Sequence, residues 1–167
     1  LTLFDQECSF SPQLSFVEGD VNKYAESLAK GLEEENSRLP KGSGDPKFHA
    51  NITNARIYSK FRGHIVHAST KTEWTIIVAD KIEDFPTHPL GRTIFIMPVE
   101  DLAESLNYIG PETQVVAIEP YAKAAALKEQ LTLRGVDRIT SHLILCFARL
   151  QRPSMLKIKL GLFEPPH

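Results

Sequence analysis

The residue that invites a chemical reading is Cys8, in the opening stretch LTLFDQECSFSPQLSFVEGD. A thiol becomes a nucleophile where its thiolate is favoured by unpaired backbone N–H groups or nearby cations. Cys8 lies between two apolar runs, 1–4 and 14–17. Placed in a bend between two strands, with one helical turn starting after it, it would meet free N–H groups. Such groups lower a thiol pKa and can hold an oxyanion. Pro12 suits a first turn, because the N–H it lacks has no partner there. Asp5 and Glu7 push the other way, since carboxylates raise a thiol pKa. The residues alone leave two readings open: a nucleophile, or the partly buried structural cysteine that is the commoner case.

Rival chemistries fit less well. Cys8-Ser9-Phe10-Ser11 has the C-x-x-S spacing of monothiol redox proteins, but a strand returns six residues later and leaves no room for the long helix such motifs precede. Cys146 sits in the apolar run 143–147 and reads as core. His64 and His67 are three apart in a strand and so point to opposite faces, which argues against a metal pair. No metal ligands are expected. His49, His88 and His142 lack ligand-type neighbours and read as surface or capping residues. Glu33-Glu34-Glu35 reads as a solvated helix face, and Glu73 beside Trp74 as a surface pair at a strand edge. Arg138, after Gly135, is expected to bond a local carbonyl or carboxylate. Phe95, Ile96, Met97 and Leu102 read as core before any acyl tunnel.

The elements that would position Cys8 follow from spacing. Residues 1–4 read as the end of a strand, 5–13 as a loop or single helical turn, and 14–17 as a strand. Apolar residues at 21, 24, 25, 28, 29 and 32 predict a helix over 21–37, with Asp20 as N-cap and no capping box. Residues 40–46 form a Pro- and Gly-rich surface loop. A helix is expected over 47–62, strands over 65–68, 75–79 and 93–97, a short helix over 100–108 and a strand over 114–118. The Ala- and Leu-rich stretch 121–134 predicts a helix ending at Gly135 as C′ residue, with 136–140 leading into another strand. This alternation argues for an α/β fold, a mostly parallel sheet with flanking helices.

Bulk properties narrow the class. The chain has 167 residues, 42% hydrophobic and 24% charged, enough for one domain with its own core. A net charge of -2 offers no electrostatic footprint for nucleic acid. No apolar run approaches the roughly 20 residues of a membrane span. Two cysteines are too few for a disulfide framework, so the cytoplasm is the expected compartment. Asn51-Ile52-Thr53 matches a glycosylation pattern that carries little weight without a leader. Leu1, rather than Met, opens what reads as the middle of a strand, so a piece of a longer protein is expected.

Phe4-Asp5-Gln6-Glu7-Cys8-Ser9-Phe10-Ser11-Pro12-Gln13, with the strand after it and Glu18, resembles the nucleophile segment of the acyl-CoA reductase (LuxC-type) family. That family is related to the aldehyde dehydrogenases and includes the fatty-acid reductase component of bacterial bioluminescence. Thr72-Glu73-Trp74-Thr75, Arg92-Thr93-Ile94-Phe95-Ile96 with Pro98-Val99, and Leu133-Arg134-Gly135-Val136-Asp137-Arg138-Ile139 look like further landmarks. Asp5 stands where the family usually has glycine, adding charge and removing backbone freedom. The resemblance implies an incomplete aldehyde-dehydrogenase-like catalytic domain over 1–140, with 141–167 a diverged or atypical tail. It implies that Cys8 is acylated by a long-chain acyl-CoA, or another activated acyl donor, and that NADPH reduces the thioester to an aldehyde. Cofactor-binding residues and the general base are expected upstream of Leu1, since the nearest glycine-rich stretch, Gly42-Ser43-Gly44, follows no strand. Acyl-transferring or acyl-activating subunits and a homo-oligomer are the implied partners. The rival readings are a non-catalytic α/β interaction domain, and an aldehyde-dehydrogenase relative acting on short aldehydes or acyl phosphates.

Overall fold

A computed structural model describes residues 5–6, 11–42 and 46–141, together with the backbone of 157–162. Its strands are β1 (Leu14–Glu18), β2 (Ile65–Ala68), β3 (Thr75–Val78), β4 (Thr93–Val99), β5 (Val115–Glu119), β6 (Arg138–Thr140) and β7 (Lys157–Leu162). Its α-helices are α1 (Val21–Arg38), α2 (Pro46–Phe61) and α3 (Ala124–Leu133). The strands form one sheet in the order β2-β3-β4-β1-β7-β5-β6. Among the described residues, only the β2–β3 pair is antiparallel. The expected α/β class with a mostly parallel sheet is therefore what forms. A strand from within 141–167 takes the place between β1 and β5.

The strands read as continuous apolar runs because both faces of the sheet are covered. Along β4, Ile94 and Ile96 pack with Tyr24, Ala25 and Leu32 of α1. Phe95, Met97 and Val99 pack on the other face with Leu127 and Leu131 of α3, Ala55 of α2 and Leu102. The core assignment of Phe95, Ile96, Met97 and Leu102 holds.

Local signals set the helix ends. Asp20 Oδ1 accepts the Lys23 N–H at 2.9 Å, the N-cap expected for α1. Gly135, at φ +89, follows α3, with Gly135 N–H on Thr132 O and Val136 N–H on Leu131 O. That pair of bonds is a Schellman stop, open to glycine because the position is left-handed. Two expected helices shorten: Leu102–Tyr108 is a 3-10 stretch, and Tyr121–Lys123 is a 3-10 turn leading into α3. The first begins with a capping box between Asp101 and Glu104 that the sequence reading did not identify.

Two surface assignments need correction. Trp74 is buried, and its indole N–H donates to Glu33 Oε2 at 2.7 Å. The pair Glu73-Trp74 is thus split, with only Glu73 at the surface. Glu33 is tied to the β3 side of the sheet rather than solvated on all sides, because a buried indole needs an acceptor.

Candidate active site

In a parallel sheet all strands start at one edge, and the segment bearing Cys8 enters β1 at that edge. Cys8 itself, with 1–4, 7 and 9–10, lies outside the described residues, as do His142 and Cys146. Gln6 is 2% exposed, and its carboxamide binds the start of β4. Oε1 accepts the Thr93 N–H at 2.9 Å, while Nε2 donates to Thr93 O at 2.5 Å and to Pro12 O at 2.7 Å.

One residue upstream, Asp5 Oδ1 accepts from Arg92 Nε at 2.6 Å and Asp5 Oδ2 from the Gly42 N–H at 3.1 Å. Arg92 is 1% exposed and also donates through Nη1 to Asn36 Oδ1 and Leu39 O. Asp5 was expected to add negative charge near Cys8; its carboxylate is ion-paired at contact distance with a buried guanidinium, where unlike charges interact most strongly.

The same region concentrates backbone strain. Asp5 (φ +46), Gln6 (+70), Leu90 (+60) and Arg92 (+61) are the positive-φ non-glycine residues among those described, and Gly91 (+63) completes the second turn. Left-handed backbone costs an L-residue about 1 kcal/mol or more, so such turns persist where their surroundings hold them. Here each turn holds the other, through Asp5–Arg92 and Gln6–Thr93. Asp5 takes the left-handed conformation directly, so its side chain does not deny the backbone the freedom that glycine would supply.

Lys41 and His88 close the region. Lys41 Nζ donates to Thr72 O at 2.7 Å and Gly91 O at 3.0 Å, and burial lowers its pKa against the opposing pull of Asp5. His88 stacks obliquely on Phe95, its ring centroid 4.6 Å away. Its Nδ1 accepts the Leu90 N–H at 3.1 Å, which leaves the proton of the neutral ring on Nε2. Nε2 is buried with no hydrogen-bond partner among the described residues. Burial pulls the His88 pKa down to about 4, with the nearby backbone of Gln13 and Thr93 opposing. His88 was expected at the surface or as a cap; instead it lies largely buried and bonds the Leu90 N–H in a loop that ends no helix.

Other expected residues are not drawn in. His49 bonds Thr72 Oγ1, and His64 and His67 lie at and within β2. Arg138 is exposed and makes no side-chain hydrogen bond among the described residues; Arg134 Nε takes the local carbonyl, Leu106 O. At the opposite edge of the sheet Glu18 accepts from the Leu102 N–H and from Lys123 Nζ. Gln6, Arg92, Gly91 and His88 escaped the sequence reading as site residues. The pair Asp5–Arg92 spans 87 residues, beyond any local spacing rule.

Residues 1–142 match the family model described as acyl-CoA reductase (LuxC). The long-chain acyl-protein thioester reductase of Aliivibrio fischeri is 30% identical over 141 residues, covering 83% of this chain and 29% of the relative. The proteins of that name from Photorhabdus laumondii and Photobacterium phosphoreum are 29% and 26% identical, with the same two coverages. The chain thus spans less than a third of the length of these curated relatives. Among the described residues no helix is long and apolar enough to cross a membrane.

Proposed function

The chain belongs to the acyl-CoA reductase (LuxC) family, and from that premise we propose that it is the nucleophile-bearing part of a long-chain acyl thioester reductase. The supporting observation is that Asp5 and Gln6, which precede Cys8 in sequence, and Pro12, which follows it, are bonded at the strained start of β4 through Gln6–Thr93, Gln6–Pro12 and Asp5–Arg92. From its membership of that family we also propose that the α/β fold is that of an aldehyde-dehydrogenase-like catalytic domain.

In the acyl-transfer step the Cys8 thiolate adds to the thioester carbonyl of a long-chain acyl group carried on CoA or on a protein. A new C–S bond forms, the old one breaks, and the donor's thiolate leaves and takes up a proton. The covalent acyl-enzyme divides one difficult transfer into two easier ones. Neutralising Asp5 is this chain's own contribution, because an unbalanced carboxylate beside the loop would disfavour the thiolate.

The reduction of acyl-enzyme to aldehyde draws on NADPH in this reading, and the described residues do not fit that dinucleotide. The turn from β1 to α1, where a phosphate cradle would sit, is Glu18-Gly19-Asp20. It presents carboxylates where a pyrophosphate would need bare N–H groups. The cofactor is therefore assigned to the part of the relatives' length that this chain does not span.

Labelling with a radioactive long-chain acyl-CoA tests the acyl transfer. Hydroxylamine-sensitive label on the wild type that disappears in Cys8→Ala is expected. Label retained by the variant would refute Cys8 as the acceptor.

A further inference from the structure

We infer that the pocket between α2 and the loop before β4 is a binding site for the uncharged pantetheine arm of an acyl thioester donor. The inference rests on the reading of the chain as part of an acyl thioester reductase, and it names the portion of the donor that these residues recognise.

The pocket encloses about 280 Å³. Asn51, Asn54 and Tyr58 line it from α2, while Thr87 and His88, set between two prolines, line it from the loop. Spacings of three and four residues put the α2 side chains on one helical face. Pro86 and Pro89 fix φ at two positions of the loop, so this wall is shaped before a ligand arrives.

The lining selects by charge. It contains no lysine, arginine, aspartate or glutamate. His88 adds no charge at neutral pH, because burial holds its ring in the neutral form. A phosphate would meet no cation here, and an ammonium group or metal ion no carboxylate. What the walls offer is neutral hydrogen bonding, from two carboxamides, a hydroxyl and a phenol. Each carboxamide supplies one acceptor and two donors, the pattern of a peptide amide. The side chains of Asn51, Asn54 and Thr87 make no hydrogen bond among the described residues, so these groups are open to a ligand.

A thioester donor built on CoA or on a carrier protein carries its sulfur at the end of a pantetheine arm. That arm has amides and a hydroxyl along an apolar chain, and no charge short of its phosphate. Its amides match the two carboxamides, and its methylenes match the proline, histidine and tyrosine rings. The volume falls just below the roughly 300–1,000 Å³ of drug-sized ligand sites, which suits a narrow arm and is too small for a whole dinucleotide.

Calorimetric titration of the chain with pantetheine, with CoA and with the nucleotide portion of CoA alone tests the assignment. Pantetheine and CoA are expected to bind alike, and the nucleotide portion not at all. Asn51→Leu combined with Asn54→Leu, at two exposed positions, should weaken pantetheine binding about tenfold through the loss of two neutral hydrogen bonds. Thr87→Val, on the opposite wall, should weaken it about threefold and decides the matter if the double variant melts below wild type. No binding of pantetheine to the wild type, or wild-type affinity in the folded variants, would overturn the inference. Binding confined to the nucleotide portion or to NADP would overturn it as well. A carrier protein bearing the same arm separates the sources: binding of CoA alone supports the free coenzyme, and tighter binding of the carrier supports the protein-borne arm. Pantetheine binding without acyl labelling of Cys8 would sink the proposed function and leave this site standing. Labelling of a wild type that binds no pantetheine would sink the site alone.

Discussion

Arg92 Nε lies 2.6 Å from Asp5 Oδ1, the cation 1% exposed and the carboxylate 30% exposed. The contact joins two left-handed turns distant in sequence. A surface ion pair contributes little, whereas removing one member of a buried pair strands the other.

Arg92→Met is therefore expected to destabilise the protein by about 3 kcal/mol, because Asp5 and Leu39 O lose their donor together. Arg92→Lys should recover less than half, since one ammonium cannot reproduce the fork reaching Asp5, Asn36 and Leu39. Asp5→Asn should cost about 1 kcal/mol. Urea unfolding of the three variants measures these differences. Equal losses for Arg92→Met and Arg92→Lys would show that the charge and the fork do not matter.

His88 supplies a pH dependence with a defined sign. Its folded pKa, about 4, lies below the unfolded value of 6.5. Between those values the unfolded chain binds more protons, so stability rises with pH and the full contribution is present above the unfolded value. It is lost as pH falls through that window, by at most about 3 kcal/mol. Melting temperatures between these limits should fall toward acid in the wild type and less steeply in His88→Gln. Parallel slopes in the two proteins would count against His88 as the buried neutral group.

Gly91 is confined in two ways. Its φ is +63, and a Cβ there would stand 2.8 Å from Ile52 Cδ1 and 2.9 Å from Lys41 Nζ. Gly91→Ala is expected to cost about 2 kcal/mol through strain and overpacking. A melting temperature within error of wild type would show that Lys41 and Ile52 yield freely.

The single tryptophan reports on the α1 face of the sheet. Glu33→Ala removes the acceptor of the buried Trp74 indole N–H, at an expected cost of about 1 kcal/mol. Its fluorescence emission should shift as the indole loses its partner and gains water. An unchanged spectrum and unchanged stability would mean that water replaces Glu33 without loss.

Much of the fold was legible because its signals are local. The helical spacing of Tyr24, Ala25 and Leu32, the cap at Asp20 and the stop at Gly135 each act within a few residues. The apolar runs 75–78 and 93–97 announce strands covered on both faces. The 3-10 character of Leu102–Tyr108 was not legible, since a short amphipathic stretch has the same periodicity signal in either helical form. Trp74 was misplaced because an acidic neighbour in sequence says nothing about which face of a strand its own side chain takes.

The candidate site divides along the same line. Sequence alone determined that a cysteine stands before the first mapped strand in a segment of recognisable family character, and which side chains accompany it. Tertiary structure decided what those side chains do: Asp5 meets Arg92, and Gln6 completes a ladder with Thr93, across a separation of 87 residues. The physical reason is that hydrogen bonds and ion pairs act over a few ångströms of space. Only the closing of the parallel sheet, which sets β1 beside β4, brings these groups within that range.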